Sequence, residues 1–326
     1  MKFIQYIVLI SSFLLVACDT ASYSTSNNLS PPKSYLGYQS KIISANGLNF
    51  HYVEKGQGEL MLFLHGFPNY SEFWHPLLTP LSENFHVVAP DNRGYGFTDK
   101  PKKVEDYRLE KLVEDVRHLI LQLSPNKKAI LVGHDWGGAL AWGTAQKYPD
   151  LVKKVVVINA VPSNTFLKVM KTSKAQQEAS SYFSKLTGWP AKVMFWIKGP
   201  ELLWGNRETL LEQGHVSSAF KEGFLNAWQQ PGAADAAINW YRANMPEDFS
   251  KVTTADYWPS ENAKITMPSL MIWSTGDRTL SKESVVALPD YAEDLTIKKI
   301  ATESHSPFLD HTSTVLDYIN DFVGQN

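Results

Sequence analysis

The stretch at residues 130–138, Ile-Leu-Val-Gly-His-Asp-Trp-Gly-Gly, constrains the fold of this chain most strongly. Its apolar, β-branched start predicts a buried strand, and the glycines around Asp135 predict a sharp turn from that strand into a helix. Such a turn raises its central side chain above the end of a parallel sheet. The backbone N–H of Trp136 then points to the same place. We therefore interpret Asp135 as a nucleophile at a strand-to-helix elbow.

Composition limits the classes of protein that remain. The chain has 326 residues, of which 44% are hydrophobic, with 18 prolines and 19 glycines. This is long enough for one large core with an inserted subdomain. The net charge of −2 and the lack of a basic run make nucleic acid an improbable partner.

The first residues predict export from the cytoplasm. Lys2 precedes an apolar segment that is too short for a comfortable membrane span, so we interpret residues 1–17 as a signal peptide. The ending Leu-Val-Ala-Cys resembles a bacterial lipobox, which implies a lipid on Cys18. A plain secretory signal or an uncleaved anchor is the alternative.

The lipobox resemblance also implies a location. Asp19 resembles an inner-membrane retention signal, so we expect a lipoprotein of the cell envelope that faces the periplasm from the inner membrane. Residues 18–37 are rich in Ser, Thr, Asn and Pro and predict a flexible tether. Because Cys18 is the only cysteine, the chain cannot form an internal disulfide.

The rest of the chain predicts an α/β fold with a mostly parallel sheet and helices on both faces. Residues 41–53 form a hairpin pattern around Asn46-Gly47. Buried strand patterns then alternate with helical ones. Predicted strands cover 60–64, 85–89, 130–132, 154–158, 269–273 and 295–300, and predicted helices cover 109–123, 137–148 and 314–323. An ordinary βα turn in a nucleotide-binding or flavodoxin-like sheet is the alternative for Asp135.

The alternation of strand and helix patterns stops between two parts of the predicted sheet. Residues 161–258 contain helical patterns with many large aromatic side chains, so we predict a helical cap between core segments 38–160 and 259–326. Six of the ten tryptophans fall in this cap: Trp189, Trp196, Trp204, Trp228, Trp240 and Trp258.

Four motifs carry a resemblance to a known family. They are His65-Gly66-Phe67-Pro68, the Asp-Asn-Arg-Gly-Tyr-Gly run at 91–96, the Gly-His-Asp-Trp-Gly-Gly run at 133–138, and Asn239-Trp240-Tyr241-Arg242. In this order they resemble the α/β-hydrolase-fold epoxide hydrolases over residues 40–324. Haloalkane dehalogenases share several of them and remain an alternative.

The residue type at the elbow favours particular substrates. Aspartate with an ordinary pKa of about 3.9 is already ionised at neutral pH, so Asp135 needs no base before it attacks. Attack on an ester carbonyl would give an anhydride, whereas attack on a saturated carbon gives a stable alkyl ester. Asp135 therefore indicates epoxides or alkyl halides rather than common esters.

An alkyl ester must then be hydrolysed by activated water. In this fold the order along the chain is nucleophile, acid, histidine, which predicts Asp277 as the acid and His305 as the base. Asp277 could instead be a turn or helix-cap aspartate, and His311 is the rival base. The serines on both sides of His305 depart from the family's Gly-His-Trp.

The remaining groups would stabilise developing charge. We expect the backbone N–H groups of Phe67 and Trp136 to form the oxyanion hole, while His65-Gly66 holds the turn in place. An epoxide oxygen leaves as an alkoxide and needs hydrogen-bond donors. Tyr241 matches the family's cap tyrosine, and we place the second at Tyr182. Either ring could instead belong only to the core of the cap.

The sequence thus predicts an epoxide hydrolase that acts on a small hydrophobic epoxide and water without a cofactor or metal. The alternative is a haloalkane dehalogenase with the same triad and Trp136 as halide donor. A non-catalytic protein that binds a hydrophobic ligand is a third interpretation.

Overall fold

The computed structural model describes residues 31–188 and 199–324. Several predictions fall outside these residues: the signal peptide at 1–17, Cys18 with its lipid, the tether up to residue 30, Trp189 and Trp196. Among the described residues, no helix is both long and apolar enough to cross a membrane.

Eight strands form one sheet in the described part of the chain. The order across the sheet is β1-β2-β4-β3-β5-β6-β7-β8, and the neighbours from β4 to β8 are parallel. Only β1 and β2 run antiparallel to their neighbours. The fold is therefore α/β with a mostly parallel sheet, as predicted. The strands are β1 (Gln39–Ala45), β2 (Leu48–Lys55), β3 (Glu59–Leu64), β4 (Phe85–Pro90), β5 (Ala129–His134), β6 (Val152–Ile158), β7 (Ser269–Ser274) and β8 (Leu295–Ile300).

Thirteen described α-helices cover the sheet or extend from it. They are α1 (His75–Leu81), α2 (Leu109–Leu123), α3 (Trp136–Lys147), α4 (Ser163–Thr172), α5 (Lys174–Ala179), α6 (Tyr182–Thr187), α7 (Glu201–Trp204), α8 (Glu208–Glu212), α9 (Ser218–Gln229), α10 (Ala233–Asn244), α11 (Lys282–Ala287), α12 (Pro307–Asp310) and α13 (Thr312–Val323). Short 3₁₀ helices lie at Ser71–Trp74, Val104–Tyr107, Pro149–Leu151, Gly205–Arg207, Phe249–Lys251, Thr254–Asp256 and Leu288–Asp290.

Both faces of the central strands are buried. In β3, Leu62 and Leu64 belong to one hydrophobic cluster, whereas Met61 and Phe63 belong to the cluster on the other face. Successive side chains of a strand point to opposite faces, so each face needs its own cover of helices. For this reason the sequence of β3 contains an uninterrupted apolar run.

The turn after β5 brings backbones unusually close together. Asp135 has φ 54° and ψ −125°, a backbone conformation that residues other than glycine rarely adopt. A Cβ atom at Gly137 would lie 1.8 Å from the Leu64 carbonyl oxygen, and one at Gly133 would lie 2.4 Å from the Gly137 carbonyl oxygen. The two glycines are therefore required for α3 to start directly above β3 and β5.

The described residues between β6 and β7 form helices α4 to α10 and three 3₁₀ helices. Two tryptophans of this cap donate hydrogen bonds to core carbonyls. The Trp228 indole donates to Pro68 O at 2.6 Å, and the Trp240 indole donates to Arg93 O at 3.0 Å. Tryptophan combines a large apolar body with one donor, so these residues fix the cap to two loops of the core.

Residues 34–37, at the end of the predicted tether, contact the folded part. The Tyr35 backbone N–H donates to the Glu72 carboxylate at 3.0 Å, and the Tyr35 hydroxyl is hydrogen-bonded to Asn226 on α9. Leu36 packs against one hydrophobic cluster. Tyr35 and Leu36 therefore make contacts that the Ser-, Thr-, Asn- and Pro-rich composition of the predicted tether does not indicate.

The elbow glycine can be tested by adding one methyl group. Because the new Cβ of Gly137→Ala would overlap the Leu64 carbonyl, we expect a loss of about 3 kcal/mol or more in the free energy of unfolding. Chemical denaturation of the purified variant measures it. Gly205→Ala is the control, because its Cβ meets nothing within 4 Å and its backbone is helical. Equal stability of the two variants would contradict this account of the turn.

Candidate active site

Three predicted catalytic side chains meet at the carboxyl ends of the parallel strands. Asp135 follows β5, Asp277 follows β7 and His305 follows β8. His305 Nδ1 lies 2.7 Å from Asp277 Oδ2, and His305 Nε2 lies 3.6 Å from Asp135 Oδ2. The imidazole thus stands between two carboxylates, in the order that a nucleophile, base and acid require.

The charges of these groups depend on each other. Burial alone would lower the pKa of His305, but the carboxylates of Asp277 and Asp135 raise it to about 10. Burial would likewise raise the pKa of both aspartates, yet His305 holds each below its usual value. At neutral pH the resting site therefore contains one imidazolium between two carboxylates.

Thr279 organises the acid and was missed by the sequence analysis. Its backbone N–H and its hydroxyl each donate to Asp277 Oδ1 at 2.8 Å. The same hydroxyl oxygen lies 3.0 Å from His305 Nδ1. One carboxylate oxygen is thus occupied by Thr279, which leaves Oδ2 for the imidazole.

The predicted oxyanion hole already holds one oxygen of the nucleophile. The Phe67 N–H donates to Asp135 Oδ1 at 2.8 Å, and a backbone hydrogen bond from Trp136 also lowers the pKa of Asp135. Gly66 makes room for this contact, because a Cβ there would lie 2.2 Å from Asp135 Oδ1. Asp135 Oδ1 is thus held by Phe67, and Oδ2 lies on the side of His305.

His65 fixes the loop that carries Phe67. Its Nδ1 bonds to Gly66 O at 3.0 Å, and its Nε2 accepts from the Asn92 backbone N–H at 3.1 Å. The Asn92 side chain donates to His65 O at 2.7 Å. His65 is fully buried, and burial lowers its pKa, so it acts as a neutral structural group.

The backbone of His305 is held by two further side chains. The carbonyl of His305 accepts from His134 Nε2 at 2.8 Å and from Asn159 Nδ2 at 2.9 Å. Burial and the nearby His305 charge lower the pKa of His134 to about 3, so His134 is neutral. The only sequence signal was position: His134 lies inside the elbow motif, and Asn159 directly follows β6.

A cavity of about 690 Å³, which includes its open mouth, lies above Asp135. Most of its lining is apolar, which suits a small organic ligand with few polar groups. Its walls include Tyr182 and Tyr241 from the cap, Thr279 from the core, and the apolar side chains of Leu109, Trp136, Ala139, Val161, Phe166, Phe183, Met245 and Leu280.

The two predicted cap tyrosines line the same cavity as Asp135. The ring centroids of Tyr182 and Tyr241 are 6.4 Å apart. The ring of Trp136 packs edge-on against Tyr241, with centroids 5.3 Å apart. Burial, with the Asp135 charge nearby, raises the pKa of both phenols, so each keeps the proton that a donor needs.

The rival histidine is engaged elsewhere. His311 lies at the start of α13 with Nδ1 3.0 Å from Asp310 Oδ1. Among residues 31–188 and 199–324, no group of three or more His, Cys, Asp or Glu side chains is placed to hold a metal ion.

Most of the chain is similar to known proteins. Residues 59–312 match the family described as alpha/beta hydrolase fold. Epoxide hydrolase 1 of Caenorhabditis elegans is 31% identical over 305 residues, covering 90% of this chain and 72% of that protein. Epoxide hydrolase 4 of Homo sapiens is 32% identical over 270 residues, covering 80% and 72% respectively.

A solved structure is similar throughout the folded part. The crystal structure of Bacillus megaterium epoxide hydrolase in complex with an inhibitor superposes with a TM-score of 0.78 at 30% identity, over 87% of this chain and 100% of that chain. The chain therefore belongs to the alpha/beta hydrolase fold family and has epoxide hydrolases among its relatives.

Proposed function

We propose that this protein opens a small hydrophobic epoxide to a vicinal diol through a covalent ester on Asp135. The observation that carries the proposal is the position of Asp135. Its Oδ1 is held by the Phe67 N–H at 2.8 Å, while it faces a cavity that also contains Tyr182 and Tyr241. A carboxylate below two protonated phenols suits attack on carbon with release of an oxygen.

In the first step Asp135 Oδ2 forms a bond to one epoxide carbon, and the carbon–oxygen bond of the ring breaks. The departing oxygen accepts hydrogen bonds from Tyr182 and Tyr241 and takes up one proton. Asp135 becomes a neutral ester, so His305 loses one of the two carboxylates that raised its pKa. The imidazolium can then release its proton, which balances the proton gained by the alkoxide.

In the second step neutral His305 removes a proton from water, and the water oxygen attacks Cγ of Asp135. Negative charge develops on Oδ1, where the N–H groups of Phe67 and Trp136 stabilise it. The ester bond breaks, the diol leaves, and the carboxylate and the imidazolium are restored. The cycle consumes one water and needs no net proton from solvent.

The cap favours an epoxide over an alkyl halide. A halide leaves without needing a proton and is cradled by donors that are free to point at it. Here the rings of Trp136 and Tyr241 are in edge-on contact, with centroids 5.3 Å apart. Phenols placed with that indole suit an alkoxide oxygen better than a halide.

We also propose that the enzyme is a lipoprotein of the cell envelope, attached to the inner membrane through Cys18 and facing the periplasm. The lipobox-like ending at residues 15–18 and Asp19 support this proposal. Metabolic labelling with an alkynyl fatty acid, with Cys18→Ser as control, tests it.

Removing the base should trap the ester. We expect His305→Gln protein, exposed to a panel of epoxides and haloalkanes, to gain the mass of a whole epoxide. Intact-mass spectrometry measures this gain, and Asp135→Asn, which lacks the nucleophile, is the control. A gain equal to a haloalkane minus hydrogen halide would replace the proposal with the dehalogenase, and an adduct on Asp135→Asn would contradict the nucleophile.

Removing a phenol should slow ring opening and leave ester breakdown intact. We expect Tyr241→Phe to form the ester about 100-fold more slowly, because the alkoxide loses a proton donor, and Tyr182→Phe to be impaired in the same step. Rapid-quench mass spectrometry measures the rate. Tyr291→Phe is the matched control, since Tyr291 is a buried tyrosine outside the cavity. An unimpaired rate in both cap variants would exclude the phenols as donors.

The charge arrangement predicts a pH dependence of stability. The pKa of His305 is about 10 in the folded state and about 6.5 when unfolded, so the folded protein binds more protons between these values. The stability that His305 contributes is complete below about pH 6.5. It falls by up to about 1.4 kcal/mol per pH unit as the pH rises towards 10.

Urea denaturation at several pH values measures this contribution. We expect the difference in the free energy of unfolding between wild type and His305→Gln to fall from pH 6.5 to pH 10. Titrating groups away from the site are common to both proteins and cancel in the difference. A difference that stays constant across this range would contradict the proposed charge state.

A further inference from the structure

Gln176 is a fully buried polar side chain in cap helix α5. A glutamine amide offers two donors and two acceptor sites, and all of them are used here. Nε2 donates to Thr279 O at 2.9 Å and to Ser180 Oγ at 3.0 Å, while Oε1 accepts from Ser281 N–H at 2.9 Å and from Ser284 Oγ at 2.8 Å.

Three of these four bonds reach the core segment that follows the catalytic acid. We call residues 277–281 the acid loop. Gln176 bonds to the carbonyl of Thr279 and to the N–H of Ser281, so it fixes the loop backbone at two points. Thr279 in turn gives two hydrogen bonds to Asp277 Oδ1. The position of Asp277 Oδ2 against His305 therefore depends on a side chain from the cap.

The backbone of Gln176 itself is also fixed within the cap. The Gln176 backbone N–H donates to Ser173 Oγ at 3.2 Å, which caps the start of α5. Ser180, the fourth partner of the amide, lies two residues before Tyr182. One buried side chain thus connects the acid loop to the cap segment that carries a cavity tyrosine.

We propose that Gln176 is a positioning residue that holds the acid loop, and with it Asp277, in the alignment that His305 needs to activate water. This inference rests on the proposed function. It assigns Gln176 no contact with substrate, because Gln176 does not line the cavity above Asp135.

The two half-reactions separate this role from general damage to the fold. Ester formation uses Asp135 and the phenols, whereas ester hydrolysis uses the His305–Asp277 pair. A loop displaced by about 1 Å can slow a reaction about 100-fold. Loss of the Gln176 contacts should therefore slow hydrolysis more than ester formation, and ester should accumulate during turnover.

The variant is Gln176→Met, which keeps the length of the side chain and removes all four amide contacts. With styrene oxide as probe, we expect hydrolysis to slow about 10- to 100-fold while ester formation changes about twofold or less. Rapid quench followed by intact-mass spectrometry gives both rates from the fraction of alkylated enzyme. Unequal slowing of the two steps is the result that a merely destabilised fold would not give.

The matched control is Gln177→Met, one position further along α5. Gln177 is exposed, and its side chain makes one bond, to Met170 O at 2.7 Å. Should Gln176→Met fail to fold, Ser284→Ala removes a single bond to the amide and should shift the same ratio of rates in the same direction.

The negative results have different meanings. If His305→Gln forms ester with styrene oxide but the ratio of the two rates in Gln176→Met, or in Ser284→Ala in its place, equals that in Gln177→Met, the positioning role is overturned. Equal slowing of both steps would overturn it as well.

If wild type hydrolyses styrene oxide while His305→Gln forms no ester with it, the covalent mechanism itself fails, and the role of Gln176 with it. No ester in His305→Gln and no hydrolysis by wild type would overturn the inference for this class of substrate.

Discussion

The site depends on one backbone constraint, which is the sharp turn at Asp135. A φ of 54° in a residue that is not glycine is costly, and surrounding structure must impose it. Here that surrounding structure is the closely packed backbone at Gly133 and Gly137, on either side of Asp135. Gly66, on the opposite loop, completes the arrangement because any side chain there would occupy the space of the Asp135 carboxylate. The glycines are thus part of the site, since they decide where the carboxylate can be.

The turn also places the Asp135 carboxylate in a site with little solvent. Its charge must therefore be balanced by neighbouring side chains. Asp277 has a fully buried side chain, and His305 is 28% exposed. Without the imidazolium between them, the carboxylates of Asp135 and Asp277 would repel each other. The second histidine, His134, stays neutral for the opposite reason, because it is buried next to a positive charge. The two adjacent imidazoles therefore carry different charges, and only the one between the carboxylates can act as the base of the proposed reaction.

Local patterns were enough to predict the fold class and to nominate the residues that meet in the site. The elbow motif, the buried strands and the aromatic interruption each lie within short stretches whose periodicity decides their structure. Apart from His65, the side chains that hold the site were not predicted. Thr279, Asn159 and Gln176 are ordinary polar residues in sequence, and the partners of Asn159 and Gln176 lie far along the chain: Gln176 bonds to Ser281, 105 positions away. The contact of Tyr35 with Glu72, 37 positions away, escaped for the same reason, because composition describes a segment and not its distant neighbours.

The aromatic cap has a second physical role that its composition did not indicate. Aromatic side chains of the cap contribute to the mostly apolar lining of the cavity above Asp135. However, the indoles of Trp228 and Trp240 point their single donors at carbonyls of the core, Pro68 O and Arg93 O. Pro68 directly follows Phe67, whose N–H holds Asp135. In the proposed reaction the cap phenols must keep a fixed position relative to Asp135. The contact of Trp228 with Pro68 connects the cap to the loop whose Phe67 N–H binds Asp135. The distance between the phenols and Asp135 is then set by contacts within one connected unit.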